Sequence, residues 1–266
     1  MKNGLSRLHW KPILGAFDAV ASVLFPAPCR VCREPLTTAS RVPVCAACLD
    51  SLRRIAPPVC GACGRPFPPV MAAAAALVCH GCLRRIYRFD LARSFAYYDE
   101  KMVRLLTLLK YEPAAPLAAW FAARLEEVVR AEPKLGEVDW IVPVPLDRTR
   151  SRERGYNQAE LIARPLARRL NRPVSTDLLR RLHPRPPKLK LSRRERWETV
   201  RGAFEAPASA RVDRSCILLV DDVLTSGATL DACARALRSA GAAAVFAVTV
   251  ARVLPRWLPV VPGTTL

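Results

Sequence analysis

The chain has 266 residues, 51% hydrophobic and 24% charged, which excludes wholesale disorder and allows one ordinary domain plus a small one. Lys and Arg total 42 against 23 Asp and Glu, and the net charge of +19 favours polyanionic partners: nucleic acid, phosphorylated small molecules or an anionic surface. No stretch offers the ~20 uninterrupted apolar residues that cross a bilayer, so no transmembrane segment is expected.

Residues 1–28 mix Lys2, Arg7 and Lys11 with apolar side chains, and Asp18 and Ser22 split the apolar run. This pattern predicts a short amphipathic helix packed on its own domain rather than a signal peptide, with a helix lying on a membrane surface as the alternative. Eight of the ten cysteines then fall in four Cys-x-x-Cys pairs: Cys29/Cys32, Cys45/Cys48, Cys60/Cys63 and Cys79/Cys82. The two-residue spacer lets both thiolates converge on one ion, and two such turns complete the tetrahedral sulfur shell of a structural zinc site. Disulfides would require export, which nothing else in the sequence supports, and a redox motif uses one such pair rather than four. Two structural zinc ions in a cytoplasmic protein are therefore expected. The ribbon-sized inner loops favour sequential pairing (Cys29, Cys32, Cys45, Cys48, then Cys60, Cys63, Cys79, Cys82) over an interleaved one. A segment this small cannot fold on its own core, so the metal supplies the missing free energy. His80 reads as a bystander, and 71–78 as an Ala-rich insert.

Beyond residue 88, strands and helices alternate. Strands are predicted at 89–98, 140–144, 216–220 and 243–250, and helices at 101–110, 116–131, 156–170 and 230–240. The β–α–β alternation predicts an α/β fold: a mostly parallel sheet with helices on both faces. The predicted organisation is a zinc-ribbon module over 1–88, the sheet domain over 89–254 and a Pro-rich tail over 255–266. Residues 178–201 are basic and Pro-interrupted, with little apolar period. From 147 to 201 there are 17 Lys and Arg against 6 Asp and Glu.

The segment that carries chemistry is Cys216-Ile-Leu-Leu-Val-Asp-Asp-Val-Leu-Thr-Ser-Gly-Ala-Thr-Leu230. An apolar strand delivers Asp221 and Asp222 to the carboxyl edge of the sheet, where ligands bind in open α/β folds. The turn after it offers backbone N–H groups, the hydroxyls of Thr225, Ser226 and Thr229, and a helix N-terminus, which together suit a phosphate monoester. Gly227 lets the backbone approach the ligand. The carboxylates repel phosphate but accept hydrogen bonds from vicinal hydroxyls. A phosphate nest beside two hydroxyl acceptors describes a ribose 5-phosphate site.

Residues 216–230 resemble the phosphoribosyl pyrophosphate (PRPP) motif of type I phosphoribosyltransferases. With Ile141-Val-Pro-Val-Pro-Leu146, Arg152-Glu-Arg-Gly-Tyr-Asn-Gln-Ala-Glu-Leu161 and the four Cys pairs, the chain is similar to the ComF family of competence-related proteins. The resemblance implies that Asp221 and Asp222 hold the ribose hydroxyls as catalytic residues, and that Thr225, Ser226, Gly227, Ala228 and Thr229 cradle the 5-phosphate. It implies a pyrophosphate loop containing Val144 and Pro145, and a mouth lined by Arg154, Gly155, Tyr156, Asn157 and Gln158. Residues 187–201 would form a mobile hood, with Lys188 and Thr199 where the family usually has Gln and Asn. Magnesium with PRPP, phosphoribosyl transfer and a role in DNA uptake are the implied activities. The alternative class is a non-catalytic nucleotide- or single-stranded-DNA-binding protein that acts with a helicase-like partner.

Overall fold

The computed structural model describes residues 27–36, 41–72, 77–112, 115–183, 192–210 and 212–253. The expected N-terminal amphipathic helix, Lys188 and the hood before Ser192, and the Pro-rich tail lie outside them. The chain divides after Ser51 into two compact units.

In the first unit, the Cys29 N–H donates to the Glu34 carbonyl at 2.7 Å and the Arg33 N–H to the Cys29 carbonyl at 2.8 Å, closing a tight knuckle. A short helix α1 (Ala46–Asp50) follows Cys45. The second unit repeats this pattern. Cys60 N–H donates to Arg65 at 2.7 Å, Gly64 N–H to Cys60 at 2.9 Å, and helix α2 (His80–Leu83) follows Cys79. The left-handed position that closes each knuckle is Arg33 in one and Gly64 in the other.

The second ribbon is built onto a sheet. Strands β1 (Leu91–Tyr97), β2 (Trp140–Pro143), β5 (Cys216–Leu224) and β6 (Ala244–Arg252) form a four-stranded sheet in the order β1-β6-β5-β2, and each pairing is parallel. Such a sheet needs cover on both faces, because its aliphatic strands are apolar on both. Between the strands run α3 (Glu100–Tyr111), α4 (Ala115–Arg130) and α5 (Pro133–Gly136), then α6 (Arg148–Arg154) and α7 (Gln158–Leu170), and later α8 (Arg193–Glu198) and α9 (Ala228–Ser239). A two-stranded ribbon, β3 (Arg180–Arg181) with β4 (Phe204–Glu205), completes the described elements. Ile217, Leu219, Val245 and Ala247 share a core with Leu230, Cys233, Ala234 and Leu237 of α9. The alternate residues Leu218, Val220, Phe246 and Val248 are also buried and point the other way, where α4 and α7 pack on the strands and on each other. Helices therefore cover both faces, as the alternation predicts.

Both sheet edges are covered as well, which removes the exposed-strand hazard. Ile55 N–H donates to the Phe95 carbonyl and Tyr97 N–H to the Arg53 carbonyl, so the segment entering ribbon two runs along β1. On the far side, Ile141 N–H donates to Pro173 and Ser175 N–H to Ile141. Cys60, Cys63 and Cys79 lie in the same core as Phe89, Ala92 and α9.

Three elements differ from the sequence expectation. β5 continues to Leu224, so the acid pair lies within the strand. Residues 148–154 form a helix with no apolar stripe, nucleated by Asp147, whose carboxylate accepts from Arg150 N–H at 3.0 Å. Residues 193–198 form another, held by a capping box between Ser192 and Glu195.

Phe121 of α4 is fully enclosed and meets Trp120 edge-on at 5.4 Å. Phe121→Ala is expected to lower stability by about 3–5 kcal/mol, read as a shift in the urea midpoint.

Candidate functional site

The acid pair sits where the sheet changes partners. β2 ends at Pro143, opposite Val220, while β5 continues beside β6 with Asp221 opposite Thr249. The two-residue strand period places Asp221 on the α9 side with Ile217 and Leu219, and Asp222 on the opposite side. Burial first, and the adjacent Asp222 charge second, push the Asp221 carboxyl well above the usual carboxylate range. Its Oδ1 accepts the Asp222 N–H at 2.8 Å. Asp222 is buried and forms an ion pair with Lys110 Nζ at 2.5 Å. Lys110 comes from the last turn of α3, and no local pattern in the sequence links it to the acid pair.

The turn after β5 has the expected form. Gly227 takes a left-handed conformation (φ +84°) and caps α9 without a side chain, while Ser226 Oγ accepts from Ala228 N–H at 3.4 Å. Thr225 is exposed, Ser226 and Thr229 are half-buried, and Ala228 is buried. Tyr87, leaving ribbon two, lies against this turn. Its hydroxyl donates to the Ser226 carbonyl at 3.1 Å, and a Cβ on Gly227 would stand 2.5 Å from its ring.

The segment after β2 is tied on both sides. Val144 N–H donates to Val220 at 2.9 Å, and its carbonyl accepts from Asn157 Nδ2 at 3.0 Å. Pro143 and Pro145 have no N–H. Donors for an anion in this loop must therefore come from Leu146 onward or from side chains. Asn157 also caps α7, accepting from Ala159 N–H. Gly155 closes α6 in a left-handed conformation. Arg154 donates to Gln158 Oε1 at 3.0 Å and stacks over Tyr111 at 5.4 Å. The Tyr156 hydroxyl is enclosed with no hydrogen-bond partner among the described residues, and burial raises its pKa. A cavity of about 260 Å³ between α3 and α6 is lined by Lys110, Tyr111, Arg150, Glu153 and Arg154, three cations against one carboxylate. Lys110, Tyr111 and Arg150 were not legible as site residues. Arg150 lies in a basic run whose only structural signal is the Asp147 cap.

The eight expected cysteines gather in sequential order. The sulfurs of Cys29, Cys32, Cys45 and Cys48 lie within 4.8 Å of one another, as do those of Cys60, Cys63, Cys79 and Cys82. Backbone N–H groups point at sulfur in matching places: Cys45 N–H to Cys29 Sγ at 3.3 Å, and Cys79 N–H to Cys60 Sγ at 3.3 Å. Burial resists ionisation of Cys29, but the N–H groups of Cys32, Cys45 and Val31 draw its pKa down to about 6, towards the thiolate that zinc takes. Four converging sulfurs with such support fit structural zinc in both places. His80 is exposed and outside either group. Ribbon two is also joined to the sheet by charge. Arg252, only 3% exposed at the end of β6, donates to the Cys63 carbonyl at 2.5 Å and approaches Cys63 Sγ at 3.5 Å. Two thiolates beyond zinc's own charge leave a site of net −2, which suits a buried guanidinium.

Cys60→Ser is expected to halve the zinc content measured by atomic absorption and to lower the Tm of the sheet domain, because its knuckle lies against β1. Lys110→Met leaves the buried Asp222 carboxylate without its cation. It should cost about 1–3 kcal/mol in chemical denaturation.

Comparison with known proteins follows these two regions. Residues 20–83 match a double zinc ribbon domain, and residues 157–261 match a phosphoribosyl transferase domain. The chain is 31% identical over 223 residues to the DNA utilization protein YhgH of Salmonella typhimurium, covering 83% of this chain and 94% of that protein. It is 28% identical over 217 residues to competence protein F of Haemophilus influenzae, covering 80% and 91%. It is 30% identical over 208 residues to competence protein ComFC of Bacillus subtilis, covering 76% and 80%. Paired four-cysteine ribbons ahead of a parallel sheet with this acid pair and turn, and relatives that match along most of their length, place the chain in the ComF family.

Proposed function

We propose that the end of β5 binds PRPP, or a ligand containing ribose 5-phosphate, and transfers the phosphoribosyl group to an acceptor. The reading rests on one arrangement: two carboxyls and an amide-rich turn on consecutive residues of β5 and α9, beside a cavity of three cations. The turn from Thr225 to Thr229 would take the 5-phosphate on the N-terminal amides of α9. Asp221 and Asp222 would accept hydrogen bonds from the sugar hydroxyls, with burial raising the pKa of Asp221 and Lys110 paired with Asp222. Lys110, Arg150 and Arg154 would meet the diphosphate, their fixed charges stabilising negative charge as the C–O bond lengthens. Arg154, braced by Gln158, presents its guanidinium in one orientation. The enclosed Tyr156 hydroxyl is a donor left over for the ligand.

Magnesium, when bound, screens the diphosphate. Among the described residues, the clusters of three or more metal-binding side chains are the two four-cysteine groups. Magnesium would thus take most of its oxygen ligands from the diphosphate and water, with Asp221 and Asp222 nearby.

Thr199 favours a second reading without turnover. Its hydroxyl donates to the Arg196 carbonyl at 3.1 Å and closes α8, so it is occupied in helix structure rather than available to an acceptor. In that reading the protein binds nucleotide or single-stranded DNA and works with a helicase-like partner. Both readings put it in the cytoplasm with a role in DNA uptake or processing, in keeping with relatives named for competence and for DNA utilization. Among the described residues no helix is long and apolar enough to cross a membrane.

Calorimetry of the zinc-loaded chain with magnesium and PRPP tests the ribose site. Saturable heat is expected, reduced at least tenfold in affinity by Asp221→Asn with Asp222→Asn. Pyrophosphate release in the presence of an acceptor separates transfer from binding alone. Absence of heat with a folded, zinc-loaded protein overturns the proposal.

A further inference from the structure

The chain leaving ribbon two is stitched to the turn after β5 and to the first turn of α9. The Tyr87 hydroxyl donates to the Ser226 carbonyl at 3.1 Å, and Arg88 N–H donates to Asp231 Oδ1 at 2.7 Å. Asp231 is buried and also pairs with Arg235, so it is fixed in turn. Tyr87 is itself held in place. Its ring stacks on Phe89 at 4.7 Å and meets Trp197 of α8 at 5.9 Å. Behind it, Arg85 N–H donates to the Cys82 carbonyl at 3.0 Å and Ile86 N–H to the Gly81 carbonyl at 3.2 Å. The path from the sulfur group to Tyr87 is therefore a hydrogen-bonded turn.

The peptide between Ser226 and Gly227 needs such a hold. A Cβ at 227 would stand 2.5 Å from the Tyr87 ring, and the backbone there has φ +84°, so packing and conformation both demand glycine. Glycine brings a freedom of its own. Rotating that peptide plane changes only ψ of Ser226 and φ of Gly227, and glycine tolerates either sign of φ. In a trans peptide the C=O and N–H point in opposite directions. With the Ser226 carbonyl on the Tyr87 hydroxyl, the Gly227 N–H points away from Tyr87, and it finds no acceptor among the described residues. Reversed, the same peptide would present a carbonyl oxygen where an anion needs a donor. The hydroxyl of Tyr87 selects between these two arrangements.

We propose that Tyr87 is a positioning residue for the turn after β5: its hydroxyl clamps the Ser226–Gly227 peptide in the orientation that offers the Gly227 N–H to a phosphate. The inference rests on the ribose 5-phosphate reading of that turn. It gives ribbon two a part in ligand recognition without contact between the ribbon and the ligand. The Arg88 tether to Asp231 holds α9 one turn further on, so loss of the hydroxyl frees one peptide plane and leaves the helix in place.

The test compares the full, zinc-loaded chain with Tyr87→Phe, which keeps the ring and loses the hydroxyl. Calorimetry with ribose 5-phosphate, and separately with magnesium pyrophosphate, which lacks the sugar phosphate, reads the ligand side. At unchanged zinc content, Tyr87→Phe is expected to bind ribose 5-phosphate about fivefold more weakly and magnesium pyrophosphate like the parent chain. A general loosening of the fold would not divide the two ligands in this way. Nitrogen-15 relaxation dispersion at Gly227 of the ligand-free chain reads the peptide itself. A flat profile is expected in the parent, and microsecond-to-millisecond exchange in Tyr87→Phe. A parent chain that binds neither ligand, with exchange at Gly227 in Tyr87→Phe alone, removes the ribose reading and keeps the clamp. Equal weakening of both ligands, unchanged affinity for ribose 5-phosphate, or a flat Gly227 profile in Tyr87→Phe overturns the clamp and leaves the ribose reading to its own test.

Discussion

The contact between Arg252 and Cys63 is the constraint from which the rest of this structure follows. A guanidinium almost wholly removed from water needs a negative partner, and here it reaches a metal-ligating sulfur rather than a carboxylate. Arg252 ends β6, opposite Leu224 of β5. The strand that carries the acid pair, the turn that follows it and the second ribbon therefore share one electrostatic anchor. The ribbon covers the edge of β1, sets Tyr87 against the turn after β5 and supplies part of the core under α9. Metal binding at this position supports the sheet as much as the ribbon. The first ribbon repeats the same knuckle and the same sulfur-directed amides within its own compact unit.

The acid pair is more divided than its adjacency suggests. Strand geometry gives the two carboxyls different surroundings. Asp221 is packed on the α9 side, where burial and the neighbouring Asp222 charge raise its pKa, while Asp222 is ion-paired with Lys110. Two chemically similar side chains thereby acquire different electrostatic surroundings. The neighbouring loop is arranged to the same end. With Val144 tied to both Val220 and Asn157, and with prolines on either side of it, the chain there is rigid and poor in free amides. The cavity between α3 and α6 is lined by the cations Lys110, Arg150 and Arg154.

Much of this was legible in the sequence, for local reasons. The Cys-x-x-Cys spacing encodes the knuckle, so the eight ligands could be read directly, whereas loop length only favoured the sequential order that the structure shows. The apolar run ending in two acids and a Thr-Ser-Gly turn encodes β5, its loop and α9. The period of strand and helix encodes the parallel sheet. What escaped depends on distant packing or on weak local signals. Lys110 and Tyr111 read as the polar end of an ordinary helix, because their meeting with Asp222 and Arg154 is made by the fold. The helix at 148–154 has no apolar stripe, and only the Asp147 cap marks it. The helix at 193–198 carried a Ser-x-x-Glu signature inside a stretch whose prolines and charges concealed it. That ribbon two joins the core of the sheet depends on Gly64, where a Cβ would stand 2.7 Å from the Ala92 carbonyl, on Arg93, which donates to the Gly61 carbonyl at 3.0 Å, and on Arg252, which are not neighbours in sequence.

The closeness of Tyr87 to Gly227 has an evolutionary corollary. The two positions are 140 apart in the chain, yet their atoms leave no room for a methyl group between them. In lineages that keep this arrangement, a substituent at the turn could be accommodated only where the aromatic ring has been exchanged for a smaller group. Drift in the ribbon linker and drift in the turn after β5 would then be correlated, although one is a feature of a metal module and the other of a parallel-sheet domain.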